Sequence, residues 1–237
     1  MSVPRWEGYR DLFSIAIFRY LVTWFSLVPI VVLLLKDVPE QVALEYNGQE
    51  ILVNMALPFS WQWLWFSSLS FVIAMILYSL LCPSLIKKYH SYSDYKARLH
   101  DKRWLVHEAM PLLAGSGTAA RGFIERLVTK KFVEAVGELP EGEKLGVRTI
   151  AVDVSRVHFE NSDQIYVLQL PLPKDETDEA RGITEKGIFW EIYGTYSGGK
   201  FVARLLILLL LIVSGSIFSG VLIQHIFAGF LYASAIF

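Results

Sequence analysis

The chain closes on Arg204–Phe237, RLLILLLLIVSGSIFSGVLIQHIFAGFLYASAIF, a stretch without any acidic residue or lysine. A bilayer core about 30 Å thick is crossed by roughly 20 apolar residues in a helix. The stretch is too long for a buried core helix and exceeds a single crossing. We therefore predict one span from about Leu205 to Gln224, after which the chain lies at the outer surface or folds back. A re-entrant hairpin is the alternative.

Two further segments, Leu12–Leu35 and Phe59–Leu81, are also long and apolar enough to cross a bilayer. The chain has 237 residues and is 54% hydrophobic, which suits a mixture of spans and a polar domain. The predicted fold class is a membrane protein with three transmembrane α-helices that flank a cytosolic α+β domain with a small antiparallel sheet. The predicted parts are a two-helix transmembrane hairpin, residues 1–83; the cytosolic domain, 84–200; and the C-terminal transmembrane helix, 201–237.

Lysine and arginine concentrate on the cytoplasmic side of short membrane loops. Arg5 and Arg10 precede the first span, whereas the loop 36–58 has one lysine against four acidic residues. Basic residues then follow the second span closely. This bias predicts a cytoplasmic N-terminus and a C-terminus on the outer side, which is the periplasm if the membrane is the bacterial inner membrane that the resemblance described below implies.

The polar region has two oppositely charged halves. Residues 84–131 contain ten basic and four acidic side chains, whereas residues 132–200 contain seven basic and thirteen acidic ones. In the first half we predict one helix over 93–110, with Ser93 as its N-cap and Pro111 with the following Ala-Gly-Ser-Gly as its end, and another over 118–138.

The second half is predicted to form the sheet. Strands are expected over 147–159, where Arg148 and Ile150 share one face, over 164–172, and over 187–197. The segment 173–187 is predicted to be a charged surface loop. The last strand would then run almost directly into the third span.

The basic half is the candidate binding region for a phosphate-bearing ligand, a nucleotide or a single-stranded nucleic acid, because basic side chains there are interleaved with tyrosine and tryptophan. The alternative is a juxtamembrane segment that contacts anionic lipid. The candidate ligand-binding residues are Lys87, Lys88, Lys96, Arg98, Lys102, Arg103, Arg121, Arg126, Lys130 and Lys131.

We find no catalytic motif, so an enzyme is not expected and no cofactor is predicted. His107-Glu108 opens like a metalloprotease motif, but Pro111 stands where the second histidine belongs. His100 and His107 could share a helix face, yet two ligands without a third are a weak metal site. No metal site is therefore predicted.

Small residues interrupt the closing stretch, and their spacing of four lets helix backbones approach each other closely in a membrane. Gly215, Ser216, Ser219 and Gly220 are therefore the predicted contact between copies of this helix, with packing inside one chain as the alternative. Polar residues within the spans are candidate pore-facing groups: Arg19, Gln224 and His225. Arg19 could instead extend back to the lipid headgroups.

This layout of spans around a cytosolic domain resembles the small multispan membrane effectors of bacterial anti-phage defence systems. The resemblance implies a homo-oligomeric channel that permeabilises or depolarises the membrane and is gated by its ligand-sensing domain. Its partners would be the lipid bilayer, further copies of itself, and the nucleotide or nucleic acid. The alternative function is a membrane-anchored scaffold or assembly subunit without conduction.

Overall fold

The computed structural model describes residues 3–15, 30, 41–46, 49–54, 61–172 and 178–236. Most of the predicted first span, including Arg19, therefore lies outside the described residues. The chain divides into two compact units. We call Met1–Pro4, Gly8–Leu81 and Phe201–Phe237 the apolar unit, and Arg5–Glu7 with Cys82–Lys200 the α+β unit.

The described residues form eight helices and six strands. The helices are α1 (Trp6–Ser14), α2 (Trp61–Leu81), α3 (Ser84–Lys88), α4 (Tyr92–Ala97), α5 (Arg103–Leu113), α6 (Thr118–Thr129), α7 (Asp178–Gly198) and α8 (Phe201–Ile236). The strands are β1 (Gln41–Tyr46), β2 (Gln49–Asn54), β3 (Glu134–Val136), β4 (Arg148–Ile150), β5 (Ser155–Asn161) and β6 (Gln164–Leu170).

Helices α2 and α8 are the two described helices long and apolar enough to cross a membrane, over Gln62–Leu81 and Phe201–Leu231. In the most apolar 18-residue stretch of each helix, only 22% is buried in α2 and 17% in α8. A core helix of a soluble protein would bury most of such a surface. The predicted second and third segments are thus confirmed as candidate spans by length and composition. The structure shows two candidate spans among the described residues, and the predicted first segment is not shown to be one.

Helix α8 corrects one expectation for the closing stretch. It continues without a break for 36 residues, about 54 Å at 1.5 Å per residue, so the alternative of a re-entrant hairpin is wrong, whereas the end of the membrane-crossing part near Gln224 stays a prediction. In an apolar stretch the helix is the arrangement that satisfies each backbone N–H and C=O internally. Glycine and serine lower helix propensity but offer no competing partner for the backbone here.

Helices α2 and α8 pack against each other in the apolar unit. Ser67 Oγ donates to the backbone oxygen of Ser214 at 2.9 Å, and Ser214 Oγ donates to the oxygen of Ser67 at 2.8 Å. Both side chains are buried. One small residue of the closing stretch, Ser214, therefore joins α8 to α2 by the close approach that small residues permit.

A β-hairpin that we did not predict lies in the loop after the first apolar segment. Strands β1 and β2 pair antiparallel, from Gln41 opposite Asn54 to Tyr46 opposite Gln49. Asn47-Gly48 stands between them in the sequence, and this dipeptide is the strongest short-range hairpin signal. The signal was therefore present in the sequence.

The α+β unit contains the predicted small antiparallel sheet, with strand order β3-β6-β5-β4. Helix α5 packs on β5 and β6 and also contacts α6 and α7. Apolar side chains of these helices and strands form the core, including Leu105, Val106, Phe123, Leu127, Val157, Leu168 and Phe189.

The first predicted helix of this unit is two helices. Ser91, rather than Ser93, caps α4 by accepting a hydrogen bond from the backbone N–H of Asp94. The chain then turns through Leu99, whose φ is 53°, and Asp101 Oδ1 accepts from the N–H of Arg103 where α5 begins. Pro111 lies inside α5, which ends at Leu113, so the predicted end at residue 110 was three residues early.

Two other predicted elements are shorter than expected. Helix α6 ends at Thr129, and after Lys131, whose φ is 56°, the chain enters β3 instead of continuing as a helix to residue 138. The predicted strand 147–159 is β4 and β5, joined by a tight turn in which the Ala151 N–H donates to the Val154 oxygen. Pairing with β6 provides hydrogen-bond partners that local propensity does not reveal.

The segment 187–197, predicted as a strand, belongs to helix α7, and the predicted loop 173–187 is helical from Asp178. Ile188, Phe189 and Ile192 are completely buried and Tyr193 nearly so. This spacing is one face of a helix, and its contacts outweigh the strand preference of the aromatic residues. A helix, not a strand, therefore precedes α8, with Gly199 and Lys200 between them.

Candidate functional site

The ten predicted ligand-binding residues do not form one surface, because acidic side chains hold four of them. Lys102 Nζ lies 3.0 Å from Glu185, and Arg103 pairs with Asp101. Arg126 and Lys130 both pair with Glu191. Three of these pairs join the basic half of the region to the acidic half, so much of the charge asymmetry in the sequence is neutralised within the fold.

Glu191 on α7 binds two cations, Arg126 of α6 and Lys130 directly after the end of α6. Arg126 Nε lies 2.6 Å from its carboxylate, and Arg126 Nη2 also donates to Thr195 at 2.8 Å. Burial raises the pKa of Glu191, but hydrogen bonds from Lys130 and Arg126 outweigh burial, so the pKa is lowered. Arg126 and Lys130 therefore tie α6 to α7, and their role in ligand binding stays a prediction.

Three predicted residues, Lys87, Lys88 and Arg98, line an open groove of about 610 Å³ together with His90, Asp94 and Ala97. We call this the lysine groove. The Arg98 guanidinium donates to the backbone oxygen of Lys88 at 3.2 Å and lies 5.3 Å from the ring centre of Tyr89. The remaining predicted residues, Lys96, Arg121 and Lys131, are exposed elsewhere on the unit.

A second groove, of about 420 Å³, joins the α4–α5 connection to the edge of the sheet. Its lining residues are His100, Asp101, Arg103, Trp104, Arg148, Ile150 and Ser155. We call it the His100 groove. We predicted Arg103 as a ligand-binding residue and expected Arg148 and Ile150 to share one strand face. We did not predict that these two segments lie next to each other in the fold.

The charges in the His100 groove are unevenly satisfied. The carboxylate of Asp101 accepts hydrogen bonds from the side chain of Arg103 and from its backbone N–H. These bonds, the side-chain bond more than the backbone bond, hold the pKa of the Asp101 carboxyl below its usual value. Asp101 therefore stays ionised and offsets the charge of Arg103. Arg148 is half-buried and forms no ion pair with any residue that the structure describes.

An aromatic wall forms one side of this groove. The rings of His100 and Trp104 lie nearly parallel, 6.3 Å apart with an interplanar angle of 19°. His100 Nε2 is 2.7 Å from the hydroxyl of Tyr89, whose side chain is buried. The hydrogen bond fixes the imidazole, so the wall is positioned before any ligand arrives.

The predicted self-association patch is exposed on α8. Gly215, Ser216, Ser219 and Gly220 are all exposed, and a Cβ at either glycine would meet no described atom within 4 Å. Gln224 and His225 are also exposed, whereas Arg19 lies outside the described residues. The patch is therefore available for contact, and its role between copies stays a prediction.

No known protein family matches the chain, and neither a curated protein nor a solved structure matches it at a significant level.

Proposed function

We propose that the protein is a homo-oligomeric effector of the bacterial inner membrane that permeabilises or depolarises the bilayer when its cytosolic α+β unit binds a phosphate-bearing ligand. The observation that supports this proposal is the exposed small-residue patch on α8, a candidate span. The proposal also agrees with the resemblance to multispan effectors of anti-phage defence systems.

The small-residue patch supports self-association for a physical reason. Lipid offers no hydrophobic drive for helix pairing, so close backbone packing must provide it. Gly215 and Ser219 share one face by their spacing, as do Ser216 and Gly220. Ser214 shows that α8 already uses such packing toward α2, and the neighbouring small residues are exposed among the residues that the structure describes.

Gating requires that the ligand-binding unit act on a span. Helix α7 ends at Gly198 and α8 begins at Phe201, so only Gly199 and Lys200 connect them. A connection this short transmits a shift of α7 with little slack. In the proposed mechanism, ligand binding displaces α7 and α8 follows.

The full chain in detergent should be a multimer by native mass measurement, and in vesicles of phosphatidylethanolamine and phosphatidylglycerol it should release a trapped dye. We expect release to depend on the protein and to increase when AMP is added. A monomer that releases no dye with or without AMP would contradict the proposal. That result would favour the membrane-anchored scaffold.

The orientation gives a separate prediction. A periplasm-active reporter fused after Phe237 should be active, because the lysine and arginine bias places the polar region in the cytoplasm and α8 then crosses once. The same reporter inserted at Gly117, in the exposed connection between α5 and α6, should be inactive and serves as the control. A cytoplasmic signal at Phe237 would reverse the proposed orientation of α8.

A further inference from the structure

We propose that the His100 groove is a mononucleotide site, in which Arg148 binds the phosphate and Trp104 stacks on the base. This inference rests on the proposed function only in its choice of a phosphate-bearing ligand. It replaces the broad basic segment by one groove, and it selects a single nucleotide over a nucleic-acid strand.

The phosphate end of the site depends on Arg148. Its guanidinium is half-buried and has no acidic partner among the described residues, whereas Arg103 is already bound by Asp101. The groove lining therefore has two positive charges against one negative, and Arg148 is the arginine that has no ion-pair partner among the described residues. A guanidinium binds phosphate through two parallel hydrogen bonds, which is why arginine suits this ligand better than lysine.

Ser155 is the second observation that points to a ligand. Its side chain is 1% exposed and borders the groove, and its Oγ has no hydrogen-bond partner among the described residues. A buried hydroxyl without a partner is unfavourable, so such a group usually meets a protein atom, a water or a ligand. In the proposed site, a phosphate oxygen held by Arg148 gives this hydroxyl the partner that it lacks among the described residues.

The base end of the site is aromatic and apolar. Trp104 is 39% exposed and Ile150 is 60% exposed, so both present apolar surface at the groove. His100 backs the tryptophan and keeps it in place through its own hydrogen bond to Tyr89. Any planar base gains stacking energy on such a surface, whichever of the bases it is.

The size of the groove selects the kind of ligand. A volume of about 420 Å³ is that of a small-molecule site rather than a channel for a strand. Single-strand binding uses several stacking residues in series, and the groove lining contains one tryptophan. A lipid headgroup would engage Arg148 but would leave the aromatic wall without a partner.

The test is isothermal titration of the full chain in detergent with AMP, adenosine and inorganic phosphate. We expect AMP to bind more tightly than either fragment, since it alone uses both ends of the groove. Arg148→Gln and Trp104→Leu should each weaken AMP binding about tenfold or more, since a charge-assisted bond or a stacking contact is lost. Lys186→Gln, at an exposed lysine of α7 outside the groove, should bind AMP like the unchanged chain.

Ser155→Ala keeps the inference testable if a larger change disturbs the fold. It removes a hydroxyl without a partner among the described residues, so thermal stability should not fall, yet AMP affinity should. No AMP binding, or equal AMP binding in Arg148→Gln and the unchanged chain, would overturn the site. Phosphatidylglycerol vesicles that compete fully with AMP, with no dependence on Trp104, would assign the groove to lipid.

The two proposals fail in distinguishable ways. AMP binding is measured in detergent, where conduction plays no part. A chain that binds AMP through Arg148 but neither assembles nor releases dye would overturn the proposed function and leave this site intact. A chain that releases dye but binds no AMP would do the reverse.

Discussion

Replacing Gly215 and Gly220 together with leucine is expected to abolish both the oligomer and dye release while the chain still inserts in the membrane. A Cβ at either position meets no described atom within 4 Å, so the larger side chains find open space within the described part of one chain. Leucine also favours the helix over glycine by roughly 0.5–1 kcal/mol per position. The damage would therefore fall on the contact between copies, where leucine prevents close backbone approach.

Alanine at the same two positions is the matched control. It adds one carbon, keeps the residues small, and should retain most of the oligomer. Native gels of the glycine, alanine and leucine forms, with dye release from vesicles of the same composition, provide the comparison. Survival of both oligomer and release in the leucine form would show that copies do not meet at this patch, and the channel proposal would lose its main support.

Replacing Glu143 with glutamine is expected to lower the free energy of unfolding of the α+β unit by about 2 kcal/mol, since a charge-assisted hydrogen bond to a partly exposed arginine is weakened. The Glu143 side chain is 7% exposed, and Oε1 accepts from Arg156 Nε at 2.7 Å. Oε2 lies 2.7 Å from Nδ1 of His158, whose side chain is 4% exposed. Glutamine keeps the size but removes the charge, so the Arg156 guanidinium, which is 35% exposed, loses its charged acceptor.

The Glu143 contact also positions the edge of the sheet. The Gly146 N–H donates to the His158 oxygen at 2.8 Å, and the φ angles of 84° at Gly142 and 71° at Gly146 favour glycine on both sides of Glu143. Glu141→Gln, an exposed change in the same loop, is the control. Chemical unfolding followed by circular dichroism should separate the two variants. Equal stability of both would show that the buried carboxylate does not hold this loop.

The candidate spans could be predicted from the sequence because the signal for them is local. A helix of α2 or α8 length with this composition needs no distant contact to be recognised, since bilayer thickness sets the criterion. The antiparallel sheet was also predicted, from the alternation in residues 147–154 and the β-rich composition of residues 164–172. The continuous α8 was not, because the stretch is longer than one crossing and therefore suggested a break that an apolar setting does not favour.

Tertiary contacts alone established the helical state of α7 and the arrangement of charges. Ile188, Phe189 and Ile192 have strong strand preferences, and burial of one helical face against α3–α6 overrode them. The sequence also showed a basic half and an acidic half, but only the fold showed that Glu185 and Glu191 pair with the basic side.

One part of the His100 groove could be predicted from the sequence, and the other part depends on the fold. Arg103 and Trp104 belong to a basic, aromatic segment that the sequence marks as a ligand candidate. Arg148 and Ser155 come from β4 and β5, and they join that segment only where α5 packs on the sheet. Composition and periodicity determine what each segment can form. Which side chains meet across segments depends on long-range packing, whose energy no local pattern contains.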